Sequence, residues 1–259
     1  MIGIYDCFGY GAGYDVSFEE RYKLIKNAGF DSVMLWWSDK FGRGEGYQND
    51  VKYARNAGLF VENIHAPVYL ENCLSHDDLD GEDTLFSYIQ CVADCYNNSI
   101  PTMVVHLPGD TFPINSLGMK RLNTIITEAE NKKIQIAFEN LNNIKNVTSV
   151  LDSFRSEYVG FCYDSCHHEN YASGIDLLNM FGHRLMILHL HDNKGKRNQH
   201  QLPFDGNIDW TDVMHRISMI GYKGSTTLEP MNWDYEDLSI KEFLLSAYQK
   251  AQKLDKMRV

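Results

Sequence analysis

No stretch of about 18 consecutive apolar residues occurs in the chain, so a membrane-spanning helix is not expected. Positive charge is also in deficit. Lys and Arg number 24 against 35 Asp and Glu, for a formal net charge of -11. Nucleic-acid binding needs a basic surface to meet phosphates, so a nucleic-acid partner is disfavoured and a small polar substrate fits better. Six cysteines (Cys7, Cys73, Cys91, Cys95, Cys162, Cys166) are too few to staple a chain of 259 residues. They read as reduced thiols of a cytoplasmic protein, with Cys91 and Cys95 four apart on one buried helix face. The first residues, Met1-Ile2-Gly3-Ile4-Tyr5-Asp6, lack the basic and apolar stretches of a secretion leader and read as a strand. Gly9-Tyr10-Gly11-Ala12-Gly13 is glycine-rich but has the wrong spacing for a G-x-G-x-x-G nucleotide loop.

What is present is a regular alternation. Runs rich in Val, Ile, Phe and Tyr predict strands at Ile2–Phe8, Asp31–Trp37, Val61–Pro67, Thr102–Leu107, Ile134–Asn140, Val159–Asp164, Leu185–Asp192 and Ser225–Glu229. Helical patterns lie between them. Ser17-Phe18-Glu19-Glu20 reads as a capping box, and Gly29 as the stop of that helix. Ala57-Gly58 repeats this ending, a helix opens at Asp209 and ends at Gly221, and another runs from about Ser239 to Leu254. Eight βα units without a nucleotide loop or a linker predict an α/β fold. The expectation is a single-domain (β/α)8 TIM barrel over residues 1–259.

In such a barrel the chemistry gathers where strands end. Strand three ends in His65, strand four in His106, strand five in Glu139-Asn140, and strand six in Asp164 followed by His167. Strand seven carries His189 and His191, the following loop His200, and strand eight Glu229. Histidine is only 10 of 259 residues, so its recurrence at one end of successive strands is the signal. Residues 189 and 191 share a face, with Leu188 and Leu190 turned to the helices. Imidazole and carboxylate without a thiolate set suit Zn²⁺, Mn²⁺, Co²⁺ or Fe²⁺ better than Ca²⁺, and the ligand types do not choose among the four.

Three elements carry a family resemblance. They are Asp164-x-x-His167; His189-Leu190-His191-Asp192-Asn193-Lys194-Gly195; and His200 with Leu202-Pro203, Gly206 and Ile208-Asp209-Trp210. Together they resemble the xylose isomerase-like TIM-barrel superfamily, which includes AP endonuclease family 2. The resemblance implies Glu139 as a bridging carboxylate, with His65 and His106 around one metal and Asp164, His189 and Glu229 around a second. It implies His167 and His200 at a third position, as in endonuclease IV. Asn198 stands where that pattern has Asp, and a neutral amide is the poorer ligand. Phe204-Asp205 is a second departure, in the loop over the site.

The reading is a metal-dependent sugar or sugar-phosphate isomerase or epimerase. A chelated hydroxyketone would be enolised through a metal-stabilised enediolate, and the resemblance to the epimerases of this superfamily implies Glu139 and Glu229 as the proton-transfer groups on its two sides. His191, Lys194, Trp37 and Asn140 are the candidate substrate contacts. Trp36 and Trp233 could also stack on a sugar, and Lys194, Lys196 and Arg197 could hold one phosphate. The alternative is an endonuclease IV-like phosphoesterase, favoured by the long histidine list. A non-catalytic binding protein is disfavoured because both glutamates are in place. A homo-oligomer is left open.

Overall fold

The computed structural model describes every residue except 10–13, 15, 41–42, 197–198 and 259. The glycine-rich stretch after Gly9 therefore lies outside the described residues. Eight strands form one sheet: β1 (Ile2–Tyr5), β2 (Ser32–Trp36), β3 (Phe60–His65), β4 (Thr102–Val105), β5 (Gln135–Glu139), β6 (Val159–Asp164), β7 (Leu185–His189) and β8 (Thr226–Leu228). Neighbours run in the order β7-β6-β5-β4-β3-β2-β1-β8, with every named pair parallel. A parallel bridge between Leu190 and Leu228 closes the seam. There Leu190 N donates to Thr227 O at 3.0 Å and Glu229 N to Leu190 O at 3.1 Å. The architecture is a single-domain TIM barrel.

Helices coat the outside: α1 (Phe18–Ala28), α2 (Asp50–Asn56), α3 (Leu79–Asn97), α4 (Ser116–Lys132), α5 (Ile144–Ser153), α6 (Ser165–Ala172), α7 (Leu177–Phe181), α8 (Trp210–Ile220) and α9 (Ile240–Lys256). Their ends follow local chemistry. Ser17 Oγ accepts from Glu20 N at the start of α1, and Gly29 takes φ 116° at its end, a conformation that side chains resist. Asp209 caps α8, Gly221 ends it at φ 74°, and Ser239 and Glu242 form a reciprocal capping box on α9.

Strand alternation sorts the side chains. Ile4, Leu35, Ile64, Val105, Phe138, Phe161, Leu188 and Leu190 are buried in the apolar layer shared with the helices. Val104, Ala137, Cys162 and Ile187 form a separate small cluster inside the barrel. The apolar layer therefore holds the fold, and the inward positions at the strand C-termini are free for polar groups. All eight strands fall where expected, but several are shorter at the mouth. β1 stops at Tyr5 rather than Phe8, and β7 at His189 rather than Asp192. Their chains leave the sheet there to turn into loops. All six cysteines are free, and Cys91 and Cys95 are buried together on α3. Among the described residues, no helix is long and apolar enough to cross a membrane.

Candidate metal centre

Glu139, the last residue of β5, is almost wholly buried at the centre of the mouth. Its Oε2 lies 3.5 Å from His65 Nε2, 3.4 Å from His106 Nε2 and 3.0 Å from His189 Nδ1, and its Oε1 is 3.0 Å from His167 Nδ1. His189 Nδ1 is also 3.3 Å from Glu229 Oε2. Asp164 Oδ2 lies 2.8 Å from His191 Nε2 and 3.6 Å from His167 Nδ1. Ligand atoms placed about 2.0–2.1 Å from a zinc-like ion are separated by about 3.3–3.4 Å in a tetrahedral and about 2.8–3.0 Å in an octahedral arrangement, and most of these separations lie in or near those ranges.

Two observations show that the residues suit a cation. Glu139 Oε2, Glu229 Oε2 and His189 Nδ1 are buried without a well-aligned hydrogen bond, although they crowd one another. Buried polar atoms left in that way are costly unless something partners them. The second concerns tautomers. His65 Nδ1 pairs with the carbonyl of Ala66 at 2.9 Å, and His106 Nδ1 with Glu71 Oε2 at 2.9 Å. In the neutral rings both Nδ1 atoms then carry the hydrogen, so both Nε2 lone pairs, 3.2 Å apart, face each other and Glu139. Among the described residues five overlapping groupings could hold an ion, among them His65, His106 and Glu139; His191, His200 and Glu229; and the four-residue set of Glu139, Asp164, His189 and Glu229.

The electrostatics agree. Burial opposes charge on Glu139, yet His189 and His106 overcome it and hold the carboxyl well below its ordinary range. Burial likewise opposes charge on Asp164, which His167 and His191 hold down, and on Glu229, which His189 holds down. Burial also opposes the charged form of His106, but Glu139 and Glu71 raise it to about 10. Among the described residues, no Lys or Arg pairs with Glu139, Asp164 or Glu229. The buried negative charge is balanced by protons on imidazoles or by cations.

Local structure explains the placements. Asp164 ends β6 and caps α6, its Oδ1 accepting from His167 N at 2.6 Å, so His167 sits on the first turn of a helix rather than at a strand end. Asn140 grips the same residue, donating to Asp164 O at 2.9 Å and accepting from Asp164 N at 2.8 Å. Its amide makes both of these bonds to the backbone of Asp164. Asp192 organises the long loop after β7. It accepts from Phe204 N, Ile208 N and Trp210 Nε1 at 3.0, 3.1 and 2.8 Å. A side chain on Gly206 would collide with Asp192 and with the Asn193 backbone. This loop carries His200, whose ring stacks on His191 at 4.1 Å and whose Nδ1 pairs with Glu229 O at 3.1 Å. Burial, with His191 nearby, lowers His200 to about 4.

Two further candidate contacts lie away from the converging groups. Trp37 faces the helices, its Nε1 donating to Asp94 on α3 at 2.8 Å; strand parity turns its neighbour Trp36 inward, with its ring 5.4 Å from His65. Lys194 is exposed in the turn beyond β7, its N–H donating to Gln199, and is not among the converging groups. Arg197 and Asn198 lie outside the described residues. Trp233 is half exposed and meets His200 edge-on at 5.7 Å. Sequence reasoning missed Glu71, which lies in a loop and belongs to no motif. It also missed Cys162, whose thiol faces His189 from within the barrel.

A family model described as "Xylose isomerase-like TIM barrel" matches residues 22–244. The chain belongs to this family. A probable endonuclease 4 of Mycoplasma mycoides subsp. mycoides SC is 26% identical over 208 residues, covering 71% of this chain and 67% of that protein. Among solved structures, a D-tagatose 3-epimerase-like protein superposes with TM-score 0.76 at 19% identity, covering 99% of this chain and 96% of the other. An IolI protein with a bound zinc atom superposes with TM-score 0.79 at 16% identity, covering 100% and 99%. At these identities the two structures establish the likeness of the xylose isomerase-like fold.

Proposed function

We propose that this xylose isomerase-like protein is a metal-dependent isomerase or epimerase of a small sugar or sugar phosphate. The observation that carries the reading is the convergence of Glu139, Asp164, His189 and Glu229 on one buried point with, among the described residues, no Lys or Arg to balance them. The zinc-containing and epimerase-like neighbours support the same class.

A divalent ion held by these residues, Zn²⁺ before Mn²⁺, Co²⁺ or Fe²⁺, would polarise the substrate carbonyl and lower the cost of enolisation. The protein's part is proton movement. Glu139 and Glu229 come from β5 and β8, separated around the ring by β6 and β7. Both are held ionised, so either can act as a base at neutral pH. One takes the proton from the carbon next to the carbonyl. For isomerisation that carboxyl, now protonated, returns the proton to the adjacent carbon; for epimerisation the opposite glutamate first takes up a proton from solvent and gives it to the other face of the same carbon, while the first releases its own. The apolar rings of Tyr5 and Trp36 beside His65 wall one side of the site and limit water there.

The test is exchange of solvent deuterium into ketoses and ketose phosphates beside the carbonyl. Exchange by the metal-loaded protein, abolished in Glu139→Gln and in Glu229→Gln, is the expected result. Retained exchange in either variant removes that residue from the proton-transfer pair.

The endonuclease-like relative and the His65–His106 grouping favour a second reading, a metal-dependent phosphoesterase. Chelator-sensitive nicking of abasic duplex DNA, without deuterium exchange in any ketose, would select it.

A further inference from the structure

We propose that Glu71 is a positioning residue that sets ion binding at His65, His106 and Glu139. This inference rests on the metal-centre reading above. Glu71 begins a single 3-10 turn, Glu71–Cys73, in the loop between β3 and α3. Its Oε2 takes the Nδ1 hydrogen of His106 at 2.9 Å. That contact fixes the tautomer and aims the Nε2 lone pair at Glu139 and His65.

The turn is itself anchored on two sides. Asn72 Oδ1 accepts from Gly109 N at 2.8 Å, tying it to the loop after β4. On the α3 side, Thr84 Oγ1 donates to Leu70 O at 3.0 Å, and Tyr88 OH to the carbonyl of His106 itself at 3.3 Å. Glu71 and His106 are thus held from both ends of one packed unit.

Among the other imidazoles, His65 leans on a backbone carbonyl, His200 on the carbonyl of Glu229, and a thiol faces His189, while the carboxylates that meet His191 and His167, Asp164 and Glu139, belong to the candidate centre itself. A carboxylate makes the ring it backs more basic and a better ligand than a carbonyl or thiol does. The two ion positions therefore differ by design. The His106 position depends on Glu71, and the one at Asp164, His189 and Glu229 does not.

The experiment strips the whole protein with a chelator and titrates Zn²⁺ against a metal-sensitive dye, with ion counting by mass spectrometry and the visible spectrum of the Co²⁺ form. Glu71→Ala should weaken one ion by about 10–100-fold, leave the other unchanged, and leave the melting temperature of the metal-free protein unchanged. Glu71→Gln keeps an acceptor without charge and should fall between. Wild-type affinities for every ion in Glu71→Ala overturn the proposal. So does equal weakening of all ions with a lower metal-free melting temperature, since that marks a structural role. A single wild-type ion indifferent to Glu71 overturns it while leaving the metal centre standing. A wild-type protein that takes up no ion overturns the centre and this inference together.

Discussion

Asn140 shows how one amide can hold a residue of the candidate centre by its backbone. It satisfies both backbone groups of Asp164, a buried residue that also caps α6 and joins the ligand cluster. Asn140→Ala leaves the buried N–H of Asp164 without its partner and removes a bond to its carbonyl, at a cost of about 1–3 kcal/mol for the unpaired group. For a domain of this size 1 kcal/mol is about 2–4 °C in Tm. The expected outcome is a drop of several degrees by calorimetry. A raised KM with an unchanged Tm would instead support Asn140 as a substrate contact. Trp36 and Trp37 make a related point. They are adjacent in sequence, but strand parity sends one ring to His65 and the other to α3.

Among the elements, the loop from Asp192 to Trp210 deserves the closest test because it carries His200. Asp192 gathers three of its N–H groups, and Gly206 gives the chain room to pass. Gly206→Ala should cost about 1–3 kcal/mol through overpacking and move His200 off His191. Thermal melting and the Co²⁺ spectrum would register the two effects, and an unchanged melt would show that the loop yields without strain. At the other end of the chain, Ser239→Ala removes the capping box of α9. That should cost about 1 kcal/mol without altering metal uptake.

For the molecule as a whole, the mouth is a store of buried charge whose state depends on pH. His106 is raised from its ordinary value to about 10 in the metal-free protein. The folded state therefore holds a proton that the unfolded chain releases near pH 6.5. This stabilisation is complete below about pH 6.5 and is lost as pH rises toward about 10. An ion at the same position takes the proton's place. Chelator-treated protein should lose Tm across that window, and Zn²⁺ should restore it most at the alkaline end. A flat Tm in chelator would mean that His106 carries no proton in the folded protein.

The sequence alone determined the barrel, because apolar periodicity and the capping residues around Ser17, Gly29, Gly221 and Ser239 are local signals that each element expresses by itself. It also placed His65, His106, Glu139, Asp164, His189 and Glu229 at strand ends, since position along a strand fixes position in the barrel. Only the tertiary structure decided how the side chains share work. Glu71 reaches His106 from a loop with no periodicity, Cys162 faces His189 from a neighbouring strand, and Asn140 turns to backbone instead of solvent. These pairings depend on which strands and loops become neighbours when the sheet closes, and that information lies in no single stretch of chain.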